Sequence, residues 1–194
     1  DGELQEEIEF QQAMVYMGSL SMLIIFGLMA VAFKSYWQPF LVLTAVPFGL
    51  MGAIFGHWLL GWQVSMFSIM GVIACAGVVV NDNLVLIDRV NTLRDEGMEL
   101  IDALLQGATN RFRPIVLTSV TTFVGLVPIM LETSVQAQFL IPMVVSLSFG
   151  VMFATGVTLI LVPALYLLGD DVGEFFATLT KRKIDRAGAD LPTV

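Results

Sequence analysis

Apolar positions in this chain gather into five long runs separated by short polar stretches. They extend from about Ala13 to Phe33, Phe40 to Leu60, Val64 to Ile87, Ile115 to Leu131 and Phe139 to Leu168. A helix needs about 17 or more mostly apolar residues to cross a bilayer core of about 30 Å. The pattern therefore predicts an all-α integral membrane protein, a bundle of five transmembrane helices. The fifth run is longer than a span requires and is expected to tilt or to project beyond the bilayer. Pro39, Pro114 and Pro142 stand at or near the starts of the second, fourth and fifth runs, where a missing N–H costs little. Pro47, Pro128 and Pro163 fall within runs, and lipid-embedded helices tolerate the resulting kinks.

Between the third and fourth runs the period changes. In GMELIDALLQGATN, Met98, Ile101, Leu104, Leu105 and Ala108 recur at three- and four-residue spacing, with Glu99, Asp102, Gln106 and Asn110 largely opposite. This predicts an amphipathic cytoplasmic helix, about 96–110, lying along the membrane surface or packed beneath the bundle. The organisation is then a stub over 1–12, a five-span domain over 13–168 and a polar tail over 169–194.

Composition agrees. Hydrophobic residues make up 57% of the chain and mean hydropathy is +0.84. Charged residues are 13%, against about 25% in soluble proteins. The net charge of −8 says less than its layout, because the acidic residues crowd the first ten positions and the loops. All 9 Lys and Arg occupy alternate connections. Lys34 follows the first run; Arg89, Arg94, Arg111 and Arg113 lie between the third and fourth; Lys181, Arg182, Lys183 and Arg186 follow the fifth. The positive-inside rule then places these segments in the cytoplasm and the N-terminal segment, Gly61–Gln63 and Glu132–Gln138 on the opposite side. The four basic tail residues are expected to anchor topology, with an anionic-lipid site as the alternative. The opening DGELQEEIEF has no basic residue and resembles no secretory signal. The chain reads as a piece of a longer protein.

Few residues could carry covalent chemistry. Cys75 is the single cysteine and His57 the single histidine; they lie on different runs, so neither a disulfide nor a metal site is expected. His57, beside Trp58 and Trp62, is expected in the aromatic belt at the membrane interface. The Met and Phe residues scattered over the five runs are read as packing and lipid-facing. With no nucleophile–base pair, phosphate loop or nucleic-acid patch, the reading contains no enzyme activity, no cofactor and no nucleic-acid partner.

The polar triplet Asn81, Asp82 and Asn83 interrupts GVVVNDNLVLID, a stretch otherwise as apolar as a span. Asp82 sits about six residues, or roughly 9 Å, inside the third run. A charge near the middle of a membrane helix costs about 2.5 kcal/mol or more. The protein must keep Asp82 protonated or supply partners. The functional reading is a carboxyl that binds and releases protons. The bland one is a neutral acid hydrogen-bonded to Asn81, Asn83 or a neighbouring helix. Asp82 shares a helical face with Gly71, Cys75 and Val78, small residues that let another helix approach. On the fourth run Arg111, Thr118, Thr122 and Gly125 share a stripe. Arg111 could reach toward a carboxylate and Thr118 could pass a proton. The alternatives are a topology anchor for Arg111 and a bond from the Thr118 hydroxyl to the carbonyl one turn earlier.

The stretch GVVVNDNLVLIDRVNTLRDEGMELIDALLQGATNRFRPIVLTSVTTFVGLVPIML resembles the carboxy-terminal membrane half of a resistance–nodulation–division (RND) efflux pump. SYWQPFLVLTAVPFGLMGAIFGH resembles the preceding span of that family. The resemblance implies twelve spans in two repeats, of which this chain is the last five, following a periplasmic domain. It implies an inner-membrane location, a homotrimer, a periplasmic adaptor, an outer-membrane channel and proton-driven export of drugs or other amphiphilic compounds. It also implies a proton relay. Arg111 and Thr118 match relay positions, and Asn81 stands where well-known drug pumps have a lysine, although an amide cannot carry that charge. Asp82 aligns with the second aspartate of the pair in the opposite repeat. That pair would belong to the N-terminal half of the permease, a partner absent from this chain. The alternatives are a SecD/SecF-like protein-export subunit and a non-transporting module that binds membrane lipid or scaffolds a partner.

Overall fold

A computed structural model describes residues 2–189, excluding the side chains of residues 2–4, 7 and 170–189. Among the described residues the chain is a bundle of helices with no strand: α1 (Gly2–Phe33), α2 (Trp37–Leu43), α3 (Val46–Leu60), α4 (Met66–Asp95), α5 (Leu100–Met130) and α6 (Val135–Ala189). They supply 5 spans long and apolar enough to cross a membrane: Ile8–Phe33, Trp37–Leu60, Met66–Asp95, Leu100–Met130 and Val135–Gly169. The chain is a multi-pass membrane protein.

Each span extends beyond its apolar run at one end or both, although the third starts two residues late, at Met66, and the fourth stops one residue early, at Met130. The second span is two helices, because Pro47 has no N–H to give the carbonyl one turn earlier. The backbone turns at Thr44 and Ala45, where Ala45 N bonds Val42 O at 3.3 Å and the Thr44 hydroxyl bonds Leu41 O at 2.6 Å. The segment expected as a separate surface helix is the first part of α5, which runs unbroken through Pro114. No turn residue separates Asn110 from Pro114, and one proline inside a membrane helix removes a single backbone hydrogen bond. Pro114 and Pro142 are thus internal to α5 and α6 rather than at their starts. α6 likewise continues as helix beyond the end of its span at Gly169. The anchoring and lipid-binding roles expected of Lys181, Arg182, Lys183 and Arg186 concern side chains outside the described residues.

α6 is the hub, packed on α3, α4 and α5. α4 and α6 run parallel, and their contact repeats every fourth residue on both. Gly71 lies against Ser146, Cys75 against Gly150, and Asn91 bonds Tyr166. The same offset sets Val79 level with Ala154, Asn83 with Thr158 and Ile87 with Val162, all buried. Interlocking of every-fourth-residue ridges is a common helix-packing mode. Here small residues let the backbones meet, as the Gly71–Cys75 face predicts. α3 uses the same device: Gly52 and Gly56 abut Phe149 of α6. Larger side chains fill the end near the basic connections, where Leu41, Leu86, Ile87, Val90, Leu93 and Leu104 form the main cluster.

α1 stands at the edge. In its most apolar window 6% of residues are buried, against 44% for the α2–α3 span. α5 is nearly as open, at 11%.

Candidate functional site

Helical geometry fans the α4 triplet apart, because successive residues point about 100° from one another. Asn81 is exposed, Asp82 half-buried and Asn83 fully buried at 2%. Asn83 belongs to the inward stripe of Cys75, Val79, Ile87 and Val90. Neither hydrogen-bonded arrangement expected for a bland Asp82 is present: Asp82 Oδ2 and Asn83 Nδ2 are both buried without a partner. On α5, half-buried Arg111 leaves its Nε buried and unpartnered as well. Asp82 and Arg111 therefore each keep an unused polar atom within the bundle, and no ion pair joins them.

Thr118 is exposed, and its hydroxyl donates to Pro114 O at 2.9 Å. Thr121 does the same toward Leu117 O at 2.8 Å. These are the local bonds anticipated as the alternative to proton passage. They leave the hydroxyl oxygens on an open face of α5.

Other polar contacts inside the bundle are absent from the sequence reading. Ser119 of α5 meets Thr155 of α6 at 2.7 Å, oxygen to oxygen, both buried. Near the basic connections, Gln38, Asn91 and Tyr166 clasp α2, α4 and α6 together. Asn91 Nδ2 donates to Gln38 Oε1 at 2.8 Å, Gln38 Nε2 to Asn91 Oδ1 at 3.0 Å, and the Tyr166 hydroxyl to Asn91 Oδ1 at 2.9 Å. The signal for Asn83 and Asn91 was present in the sequence, since both continue the every-fourth-residue stripe of Cys75, Val79 and Ile87.

His57 is not in an interfacial belt. It is buried at 3%, with Nδ1 2.9 Å from Ala53 O and Nε2 2.8 Å from Ser68 Oγ. It lies on the α3 face of Gly49, Gly52, Ala53 and Gly56, which turns toward α4 and α6. Trp58, one residue on, is exposed. Among the described residues no group of three or more His, Cys, Asp or Glu could hold a metal ion.

Comparisons with known proteins match this architecture. The AcrB/AcrD/AcrF family model matches residues 1–170. The cobalt-zinc-cadmium resistance protein CzcA of Cupriavidus metallidurans is 33% identical over 149 residues, 77% of this chain and 14% of that protein. Protein HelA of Legionella pneumophila is 33% identical over 148 residues, covering 76% of this chain and 14% of its own length. The crystal structure of a heavy metal efflux pump superposes with a TM-score of 0.75 at 29% identity, over 84% of this chain and 16% of that one. The chain thus spans a small part of the relatives it matches. With five spans, a polar triplet in the third and a family match over nearly its whole length, it belongs to the AcrB/AcrD/AcrF family of RND efflux permeases.

Proposed function

We propose that this chain forms membrane spans of a proton-driven permease that exports a metal cation. The observation that carries the proton-coupling part is Asp82, a half-buried carboxylate in a span with Oδ2 buried and unpartnered. Ionisable groups inside membrane spans are costly and mark ion pathways by default. Asn81 cannot supply the positive charge of a relay lysine. Arg111, half-buried on α5 with Nε unused, is the cation available for that task.

The cargo follows from the relatives. The drug or amphiphile expected from the sequence gives way to a metal cation, because the similar proteins are named for cobalt, zinc and cadmium resistance and for heavy metal efflux. No described cluster of ligands competes for the metal, so cargo selection is assigned to the rest of the permease. The N-terminal half is the required partner, and the assembly is a homotrimer with a periplasmic adaptor and an outer-membrane channel. The membrane is the bacterial inner membrane, with the N-terminal end periplasmic and the basic connections cytoplasmic. The family match over residues 1–170 argues against the SecD/SecF and scaffold readings.

The test uses the whole permease in vesicles under a pH gradient, with an enclosed zinc-sensitive dye and a proton-sensitive one. Wild type is expected to move zinc against proton flow. Asp82→Asn is expected to bring both signals to background at unchanged protein yield. Zinc transport undiminished in Asp82→Asn would remove Asp82 from the relay. Ethidium transport without zinc transport in wild type would remove the metal cargo.

A further inference from the structure

His57 is a buried titratable group that a pathway through Asp82 and Arg111 does not use. A cavity of about 130 Å³ lies beside it, lined also by Ser68 of α4 and Ser146 of α6. Val64, exposed in the connection between the second and third spans, forms part of its wall. The cavity is therefore at the end of the bundle opposite the basic connections. Ser146 is 0% exposed and its Oγ has no hydrogen-bond partner. Other buried hydroxyls bond the carbonyl one turn earlier, as Ser119 does to Ile115 O at 3.0 Å and Ser148 to Val144 O at 2.6 Å. Ser146 leaves that bond unmade and stands on the cavity wall instead.

The Ser68 hydroxyl can serve either form of the ring. In the neutral ring Nε2 carries a lone pair, so the Ser68 O–H donates to it across 2.8 Å. Ser68 Oγ meanwhile accepts from Ser65 N at 3.0 Å. A proton arriving from water adds to the Nε2 lone pair and reverses the bond, and Ser68 keeps its own hydrogen. Nε2–H then donates to Ser68 Oγ, which accepts from both His57 and Ser65 N, and its O–H is released from the ring. Ser65 Oγ is 3.5 Å away on the same turn, at the limit of a hydrogen bond. Ser146 Oγ is the unused acceptor on the cavity wall. Nδ1 donates to Ala53 O in both forms.

We propose that His57 is a second proton-binding site of the permease, at which a bound proton hands the Ser68 hydroxyl from α3 to Ser146 of α6. In the neutral form Ser68 ties α4 to α3; in the charged form it ties α4 to α3 and α6 together. His57 occupies the last turn of α3, where the carbonyl end of a helix favours a cation. No charged side chain lines the cavity: α4 contributes Ser68, Ile69 and Val72, and α6 contributes Ser146. At the same end of the bundle, Glu6 and Glu9 of α1 are exposed outside it. Glu132 is engaged at the start of α6, accepting from Thr133 N and Ser134 N. The assignment requires no role for Asp82 and no particular cargo.

Nitrogen-15 magnetic resonance of the whole permease in lipid, labelled at histidine, tests it. The His57 signals are identified by their loss in His57→Gln. Spectra recorded from about pH 8 to about pH 5 cover the range in which histidine side chains change charge. Nε2 is expected to pass from a bare nitrogen to one bearing hydrogen, with Nδ1 protonated throughout. Ser146→Ala fits the same space and removes an acceptor that only the charged form uses. At the pH where half of the wild-type rings are charged, it is expected to lower the ratio of charged to neutral ring about fivefold, the effect of one ordinary hydrogen bond. A ring that stays neutral throughout, or a ratio that Ser146→Ala leaves unchanged, would overturn the proposal. Asp82→Asn is expected to leave the His57 spectra as they are, so the two proton sites fail separately. Spectra that change with Asp82→Asn would mean that the ring follows Asp82 and is no site of its own.

Discussion

His57 has one arrangement that satisfies both ring nitrogens. The carbonyl of Ala53 can only accept, so Nδ1 carries the hydrogen and donates to it, and in the neutral ring Nε2 accepts from the Ser68 hydroxyl. Ser68 Oγ in turn accepts from Ser65 N at 3.0 Å, so the ring ties the inside of α3 to the start of α4. Removing one partner of a buried hydrogen bond costs about 1–3 kcal/mol. His57→Ala is therefore expected to lower the thermal unfolding midpoint of the purified permease, with Ser68→Ala lowering it in the same direction. A lipid-facing His57 would give no shift in either. Proximity to Trp58 and Trp62 pointed to the interface, but the angular position decides. Ala53 and His57 are one turn apart on the glycine face of α3, and that spacing was legible. Asp82 shows the opposite case, because its cost inside a span follows from its type and depth alone. What the sequence could not show was that its neighbours leave Oδ2 unpaired, since that depends on where α5 and α6 place their side chains.

The elements are held by close approach more than by bulk. A Cβ added at Gly52 would lie 2.5 Å from Phe149 O, and one added at Gly56 would lie 2.5 Å from the Phe149 ring. At Gly71 it would meet Met143 O and lie 2.7 Å from Ser146 Cβ. Backbone atoms cannot yield as a flexible side chain can, so Gly52→Ala and Gly71→Ala are expected to destabilise by about 1–3 kcal/mol. At Gly77 nothing lies within 4 Å, and the position is exposed in mid-helix. Gly77→Ala should be neutral or stabilise by about 0.4–1 kcal/mol. Thermal melts of the three variants in one detergent check the order; a Gly71→Ala melt equal to that of Gly77→Ala would contradict the packing described. The five apolar runs made these elements readable, and small residues near Asp82 foretold a close neighbour. Helix ends were harder. Apolar runs stop where side chains turn polar, whereas backbone hydrogen bonding carries α4 on to Asp95 and starts α5 at Leu100. Proline gave mixed signals for the same reason: Pro47 breaks the second span, while Pro114 lies inside a continuous helix.

On the scale of the whole molecule, the spans leave a face of mixed character open. α5 carries exposed Thr118 and Thr121 amid exposed Leu117, Val120 and Val124, and α4 carries exposed Asn81. Lipid tails can cover the leucines and valines, but they cannot hydrogen-bond the Asn81 amide. A protein surface with polar groups at matching depth can. Such a surface is what a second bundle of spans would supply, and 14% coverage of the metal-resistance relative leaves ample chain to build it. On the proposed function, coupling needs both sides, because a proton taken up by Asp82 would have to change how one bundle sits against the other before it could move cargo. This chain reconstituted by itself is therefore expected to give no proton-driven zinc movement, while the whole permease does. Dye-loaded vesicles holding equal amounts of each protein make the comparison. Gradient-dependent zinc flux from the chain alone would mean that its five spans already contain both states of the cycle, and that the open face of α5 needs no partner.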